Sequence, residues 1–330
     1  MDHVRIGTLG AARITPMALI RPARAVEGTE VVAVAARDRS RADTFAKKHG
    51  IPTVHESYDD LLADPDVDAV YNPLPNGLHA EWTAKALEAG KHVLCEKPFT
   101  SNAAEAREVA GVAERTGQKL MEAFHWRYHP LAARVLEIIE AGEIGAVRHI
   151  EAAMCFPLVM LGDIRWRWDL AGGALMDAGC YPVSFVRHMG HALGEPEVVS
   201  ARSRTFRHPQ IDRRTDADLR FPGGETATIT ASMLSHSLVR LSGRVVGNAG
   251  EIRVRNPFTP QFFHKLWVTT PSGRRTERVS REPTYNFQLR AFRDLVLEGA
   301  EVPTPPADAI ANMAVIDAIY ESAGLQVRAT

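Results

Sequence analysis

Cysteine is scarce in this 330-residue chain: three residues, Cys95, Cys155 and Cys180, widely spaced, odd in number and without a CxxC pair. That excludes a disulfide framework and a cysteine zinc site, and it fits a reducing compartment. An excess of charge of either sign is missing too. The formal net charge is −1, so bulk electrostatics offer nothing to nucleic acid or to an acidic membrane surface. No window approaches the ~18 apolar residues of a membrane span, and the first residues run into Val4-Arg5-Ile6 without a signal-like apolar stretch. A cytoplasmic protein is expected. What remains is an ordinary globular composition, 45% hydrophobic and 24% charged, in a chain long enough for two domains with cores of their own.

Short apolar runs at 4–9, 31–35, 68–71 and 93–95 alternate with helical patterns at 16–26, 41–49, 58–62, 78–88 and 103–115. Such alternation implies βαβ units and a parallel sheet. The first strand-to-helix turn reads Gly10-Ala11-Ala12-Arg13-Ile14-Thr15, where a dinucleotide fingerprint with three glycine positions belongs. Here those positions hold Gly10, Ala12 and Thr15. Gly10 can make the tight turn, Ala12 still lets a pyrophosphate approach, and the helix start supplies N–H groups. Thr15 either loosens helix–strand packing or lends a hydroxyl to phosphate. The second strand ends on Ala36-Arg37, where an NAD site would place a carboxylate for the ribose 2′-hydroxyl. A guanidinium there can hold a 2′-phosphate bidentately. NADP is therefore favoured, with NAD left possible by the neighbouring Asp38.

Gly90-Lys91-His92-Val93-Leu94-Cys95-Glu96-Lys97-Pro98 runs from a helix end through a buried strand to its carboxyl end, which is where open α/β sheets bind ligands. A surface lysine with Glu96 as ion-pair partner would account for the tripeptide alone. Farther on, Asp177 and Tyr181 are four apart and would share a helix face. Gly172 and Gly173 before them let the chain approach a cofactor or substrate closely, and Pro182 must kink that helix or start a new one. A cap and a core aromatic are the simpler roles for Asp177 and Tyr181. His125 and His129 also have i,i+4 spacing, but Pro130 biases His129 away from helix and no third ligand follows. No metal site is expected.

Taken together, Gly7-Thr8-Leu9-Gly10-Ala11-Ala12-Arg13-Ile14, Leu74-Pro75-Asn76-Gly77-Leu78-His79, the Glu96-Lys97-Pro98 run, Gly172-Gly173-Ala174-Leu175-Met176-Asp177-Ala178-Gly179-Cys180-Tyr181-Pro182 and the segment 308–323 resemble the Gfo/Idh/MocA family. The resemblance implies an α/β protein: a doubly wound Rossmann domain (residues 1–123), then a substrate-binding and oligomerisation domain (124–330) with a large, mostly antiparallel sheet. It implies Lys97 beside the nicotinamide and the substrate oxygen. Many members carry histidine where this chain has Tyr181, so the chain is similar to the glucose–fructose oxidoreductase and dimeric dihydrodiol dehydrogenase branch. The activity implied is hydride transfer between NADP(H) and a hydroxyl-bearing or keto carbon of a sugar, sugar derivative or cyclic diol. The family's other outcomes are an NAD-dependent glycosidase and a non-catalytic cofactor-binding regulator. The catalytic set would be Lys97, Tyr181 and Asp177, with the proton carrier left open between Lys97 and Tyr181. Cofactor contacts would come from Gly10, Ala11, Ala12, Arg13, Ile14, Arg37, Leu74, Pro75, Asn76, His79, Glu96 and Lys97. Strands read at 146–156, 201–206, 216–221, 225–233, 238–246 and 251–254 form a sheet whose open face calls for a partner. A homodimer or homotetramer is expected.

Overall fold

The structure, a computed structural model, describes residues 3–160, 162–235 and 239–329. The chain divides into one unit made of Met1–Tyr128 with Pro283–Ile310 and a second made of His129–Glu282 with Ala311–Thr330. The expected cut after residue 123 lies just before the first crossing; the chain crosses again after Glu282 and once more inside its last helix.

The first unit is built on a six-stranded parallel sheet. Its strands are β1 (Val4–Leu9), β2 (Thr29–Ala35), β3 (Thr53–His55), β4 (Ala69–Asn72), β5 (His92–Cys95) and β6 (Leu120–Glu122), in the order β3-β2-β1-β4-β5-β6. The order reverses between β1 and β4, and it is there that a doubly wound sheet opens a crevice at its strand ends. A π-helical turn, Pro16–Ile20, runs into α1 (Arg21–Ala25); α2 (Arg39–His49), α3 (Tyr58–Ala63), α4 (His79–Glu88) and α5 (Ala103–Thr116) follow the later strands. Asp38 caps α2 by accepting from the Ser40 and Arg41 amides, and Gly50 ends it at φ 73°, as αL glycines do. One sheet face is closed by residues from far along the chain. Tyr285, Leu289 and Phe292 of α8 (Thr284–Glu298) pack with Val4, Ile6, Leu19, Leu94 and Met121.

In the second unit, α6 (Pro130–Glu140) is capped by His129, whose extended backbone (φ −79°, ψ 139°) is the conformation that Pro130 favours. Eight strands follow: β7 (Val147–Cys155), β8 (Glu197–Phe206), β9 (His208–Arg220), β10 (Thr226–Ser232), β11 (Arg240–Gly247), β12 (Glu251–Arg255), β13 (Lys265–Thr270) and β14 (Gly273–Glu277). Their order is β14-β13-β12-β11-β7-β10-β9-β8, antiparallel except for the β7–β10 pair. A π-helical turn, Leu175–Gly179, continues as α7 (Cys180–Met189) and packs on this sheet, with Phe185 against Gly243 and Leu175 and Ala231 against Gly179. Other sheet residues are polar: Arg244 bridges Glu151 and Glu251, and Arg214 pairs with Asp216. The last helix is α9 (Pro306–Ser322).

Four strands escaped sequence reading. β3 and β6 are too short for periodicity to show, β13 buries only Leu266 and Val268 in alternation, and β14 carries no apolar side chain. β9 begins eight residues before the expected 216, since His208-Pro209-Gln210 reads as loop. Leu238, placed at a strand start from sequence, lies outside the described residues.

Candidate active site

The carboxyl ends of β1, β4 and β5 gather the first group of expected residues. Gly10 sits at φ +86°, its amide bonded to the Ala35 carbonyl at 2.6 Å, and a Cβ on it would lie 3.2 Å from Leu74 Cδ2. The tight turn thus needs glycine, both for its backbone and for Leu74 to close over it. Ala11, Ala12 and Ile14 are partly exposed and Arg13 exposed, whereas Thr15 is fully buried. That burial places the Thr15 side chain against the protein interior.

A cavity of about 490 Å3 opens beside this turn, lined by Ala11, Ala12 and Arg13 on one side and Ser40, Arg41 and Lys48 of α2 on the other. Arg13, Arg41 and Lys48 make it cationic. Asp38 is engaged as the α2 cap, and its carboxyl is held below the usual range chiefly by the Ser40 hydroxyl and the Arg41 amide. All of these bonds fall on Oδ1 of the exposed Asp38. Arg37 is exposed and is not among the residues lining the cavity. Ser40, Arg41 and Lys48 were not among the expected contacts; their spacing along one face of α2, the helix that follows β2, was the available signal.

The loop after β4 is fixed from inside. Asn72, fully buried, donates to the His79 carbonyl and the Thr83 hydroxyl and accepts from the Leu74 amide. Pro75 and Asn76 then lead through a short turn into α4. His79 is 1% exposed, and its ring spans two loops: Nδ1 lies 2.8 Å from the Pro98 carbonyl and Nε2 2.8 Å from the Leu74 carbonyl. Burial pushes its pKa down to about 4. His79 thus ties the turn carrying Lys97 to the Leu74 loop.

Lys97 follows β5 directly, half-buried, in a turn whose Lys97–Pro98 peptide is cis. Glu96 beneath it is buried and accepts from the Tyr71 hydroxyl at 2.7 Å. Burial raises the Glu96 carboxyl, with Lys97 acting against that rise. Burial also raises Tyr71 well above the ordinary phenol range, and the Glu96 charge adds to it.

The second group lies in the other unit. Asp177 is within the π-helical turn and Tyr181 in the first turn of α7, one residue before Pro182. Sequence spacing implied one regular helix; the π turn replaces its first part, and such turns recur at functional sites. The Asp177 carboxylate lies 3.5 Å from Arg165 Nε and is 11% exposed. Tyr181 is 6% exposed and packs against the Phe258 ring at 5.4 Å. His125 bonds Thr284 at 2.7 Å and His129 bonds the Leu131 amide, so both are absorbed by local structure.

Known proteins match this arrangement along the whole chain. Residues 4–124 match the family model described as oxidoreductase family, NAD-binding Rossmann fold, and residues 132–253 match the GFO/IDH/MocA C-terminal domain. An NADP(+) D-xylose 1-dehydrogenase from Haloferax volcanii is 39% identical, with 96% of each chain covered. A mouse trans-1,2-dihydrobenzene-1,2-diol dehydrogenase is 35% identical over 78% of this chain and 75% of its own. A 3-ketoreductase from Actinomadura kijaniata, solved with NADP and TDP-benzene, superposes with a TM-score of 0.89 at 32% identity, covering 97% of this chain and 98% of its own. The motifs at Gly10, Lys97 and Tyr181 therefore sit in a chain that belongs to the GFO/IDH/MocA oxidoreductase family.

Proposed function

We propose that this protein is an NADP-dependent oxidoreductase acting on a hydroxyl-bearing or keto carbon of a sugar, sugar derivative or cyclic diol. The observation that carries the cofactor choice is the cationic cavity of Arg13, Arg41 and Lys48 beside the Gly10 turn, with Asp38 capping α2 through Oδ1 and outside the cavity lining. The residues fit the group. Gly10 to Ile14 offer backbone and a helix start to the pyrophosphate, and the arginines and lysine offer charge to the 2′-phosphate. Bound NADP(H) gives or takes the hydride. Lys97 and Tyr181 act on the reacting oxygen, one moving its proton and the other hydrogen-bonding to it. Asp177, beside Arg165, binds an adjacent hydroxyl. The relatives that reduce or oxidise sugars and diols support this substrate class.

Fluorescence titration with NADPH and NADH tests the reading. Arg41→Ala removes a charge-assisted contact of ~1.5–3 kcal/mol and should weaken NADPH about tenfold or more while leaving NADH unchanged. Raising salt should weaken NADPH selectively. Equal affinity of wild type for both nucleotides would sink the NADP assignment. Lys97→Ala should abolish NADP-linked turnover and leave NADPH binding intact. A cytoplasmic homo-oligomer, a dimer or tetramer formed through the polar face of the eight-stranded sheet, belongs to the same proposal. The three buried free thiols support the compartment, and a light-scattering mass of one chain would remove the oligomer.

A further inference from the structure

Asp212 of β9 and Arg328 beyond α9 belong to none of the sequence motifs, yet neither side chain has any exposed surface, and they pair at 3.1 Å. Burying two charges is costly unless their remaining donors and acceptors are used. Here they are. Asp212 Oδ2 accepts from the Leu175 amide at 2.7 Å and the Thr215 hydroxyl at 2.8 Å, and Oδ1 also accepts from the Tyr320 hydroxyl at 3.0 Å. Arg328 Nε donates to the Gly172 carbonyl at 2.9 Å and Nη1 to the Gln326 carbonyl at 3.0 Å. Its guanidinium lies over the Trp168 and Tyr320 rings, 4.6 and 4.1 Å from their centres.

The two charges hold one short stretch at both ends: Gly172 by its carbonyl and Leu175 by its amide. Gly173 between them sits at φ +136°, and a Cβ there would meet Asp212 Oδ1 at 2.3 Å and Arg328 Nη2 at 2.8 Å. This glycine admits a carboxylate and a guanidinium against the backbone, where the sequence suggested close approach of a ligand. Leu175 opens the π-helical turn that carries Asp177 and continues into the helix of Tyr181.

We propose that the Asp212–Arg328 pair is a positioning device for this helix: by holding Gly172 and Leu175 it fixes where Asp177 and Tyr181 stand, so the end of the chain is required for turnover. The proposal rests on the reading of Tyr181 as an acting group. Displacing such a group by ~1 Å costs on the order of 100-fold in rate, so small relaxations matter.

Arg328→Met keeps an unbranched chain between the two rings and removes the charge and its donors; Arg328→Lys restores the charge. Full-length proteins are compared by hydrogen exchange of the segment 172–181, by NADPH titration, and by NADP+-linked oxidation of D-xylose and trans-1,2-cyclohexanediol. In Arg328→Met, exchange at the Leu175 amide should rise tenfold or more, while NADPH affinity changes less than twofold. The kcat should fall about 100-fold with KM little altered, and Arg328→Lys should recover part of it. Unchanged Leu175 protection overturns the proposal without any substrate. So does a lowered unfolding midpoint with wild-type kcat in the folded protein, which is what a purely structural pair would give. If Arg328→Met does not fold, Arg328→Lys is judged by the same exchange and kcat comparison. Tyr181→Phe is run beside them. Wild-type turnover there would remove the reading of Tyr181, whereas loss there with full turnover in Arg328→Met would remove only the positioning role.

Discussion

His79 makes the stability of this protein depend on pH by an amount that can be worked out. The ring is 1% exposed, and burial lowers its pKa from 6.5 to about 4. The folded value lies below the unfolded one, so between the two the unfolded chain binds more protons. The contribution of neutral His79 is therefore complete above pH ~6.5 and is lost as the pH falls toward 4. A drop from 6.5 to about 4, at ~1.4 kcal/mol per unit, corresponds to roughly 3 kcal/mol in all, of which roughly 2 kcal/mol is gone between pH 7 and pH 5. The Pro98 and Leu74 carbonyls, each 2.8 Å from a ring nitrogen, press the other way, because two acceptors favour a doubly protonated ring. Burial outweighs them. Urea unfolding of wild type and His79→Gln at pH 7 and pH 5, followed by circular dichroism, separates the contributions, since every other titrating group is common to both. The variant should lose about 2 kcal/mol less than wild type on acidification. Equal losses would mean that folding leaves the His79 pKa unshifted, and a wild type stabilised by acid relative to the variant would show that the carbonyls hold it as an imidazolium; either result refutes the reasoning.

Two further substitutions probe the first unit. Phe292→Ala empties a fully buried site in the core formed with Val4, Ile6 and Leu94, and should cost about 3–5 kcal/mol, read as a fall in the unfolding midpoint. A variant as stable as wild type would mean that α8 does not complete this core. Gly10→Ala forces a side chain into φ +86° and against Leu74; it should cost about 1–2 kcal/mol and weaken NADPH binding. Undiminished NADPH affinity would place the pyrophosphate elsewhere.

The parallel sheet was readable because its strands are buried on both faces and so appear as short apolar runs cut off by Gly10, Asn72-Pro73 and Glu96-Lys97-Pro98. Each of those boundaries is a carboxyl end of a strand, where open α/β sheets bind ligands, so the fold and the expected cofactor group were read from the same places. The second sheet was readable only in part. Gly273–Glu277 carries no apolar side chain, and in Lys265–Thr270 the alternation is confined to Leu266 and Val268, too short a stretch to read as a strand. Asp38 was read only as a residue that left NAD possible; that its Oδ1 also caps α2 through the Ser40 and Arg41 amides shows only in the fold. Asp212 and Arg328 could not have been paired in advance. They are 116 residues apart, and a lone aspartate on a strand and an arginine near a terminus look like solvated surface until both are found buried.

The return of the chain at Pro283 has a consequence for synthesis. Tyr285, Leu289 and Phe292 belong to the same apolar cluster as Val4 and Ile6, but the ribosome makes all of His129–Glu282 before them. At ~5–20 residues per second, the nascent nucleotide-binding sheet waits on the order of ten to thirty seconds with that face uncovered. Until α8 emerges, the amino-terminal sheet carries that apolar face without its cover, and only then is the nucleotide-binding domain finished.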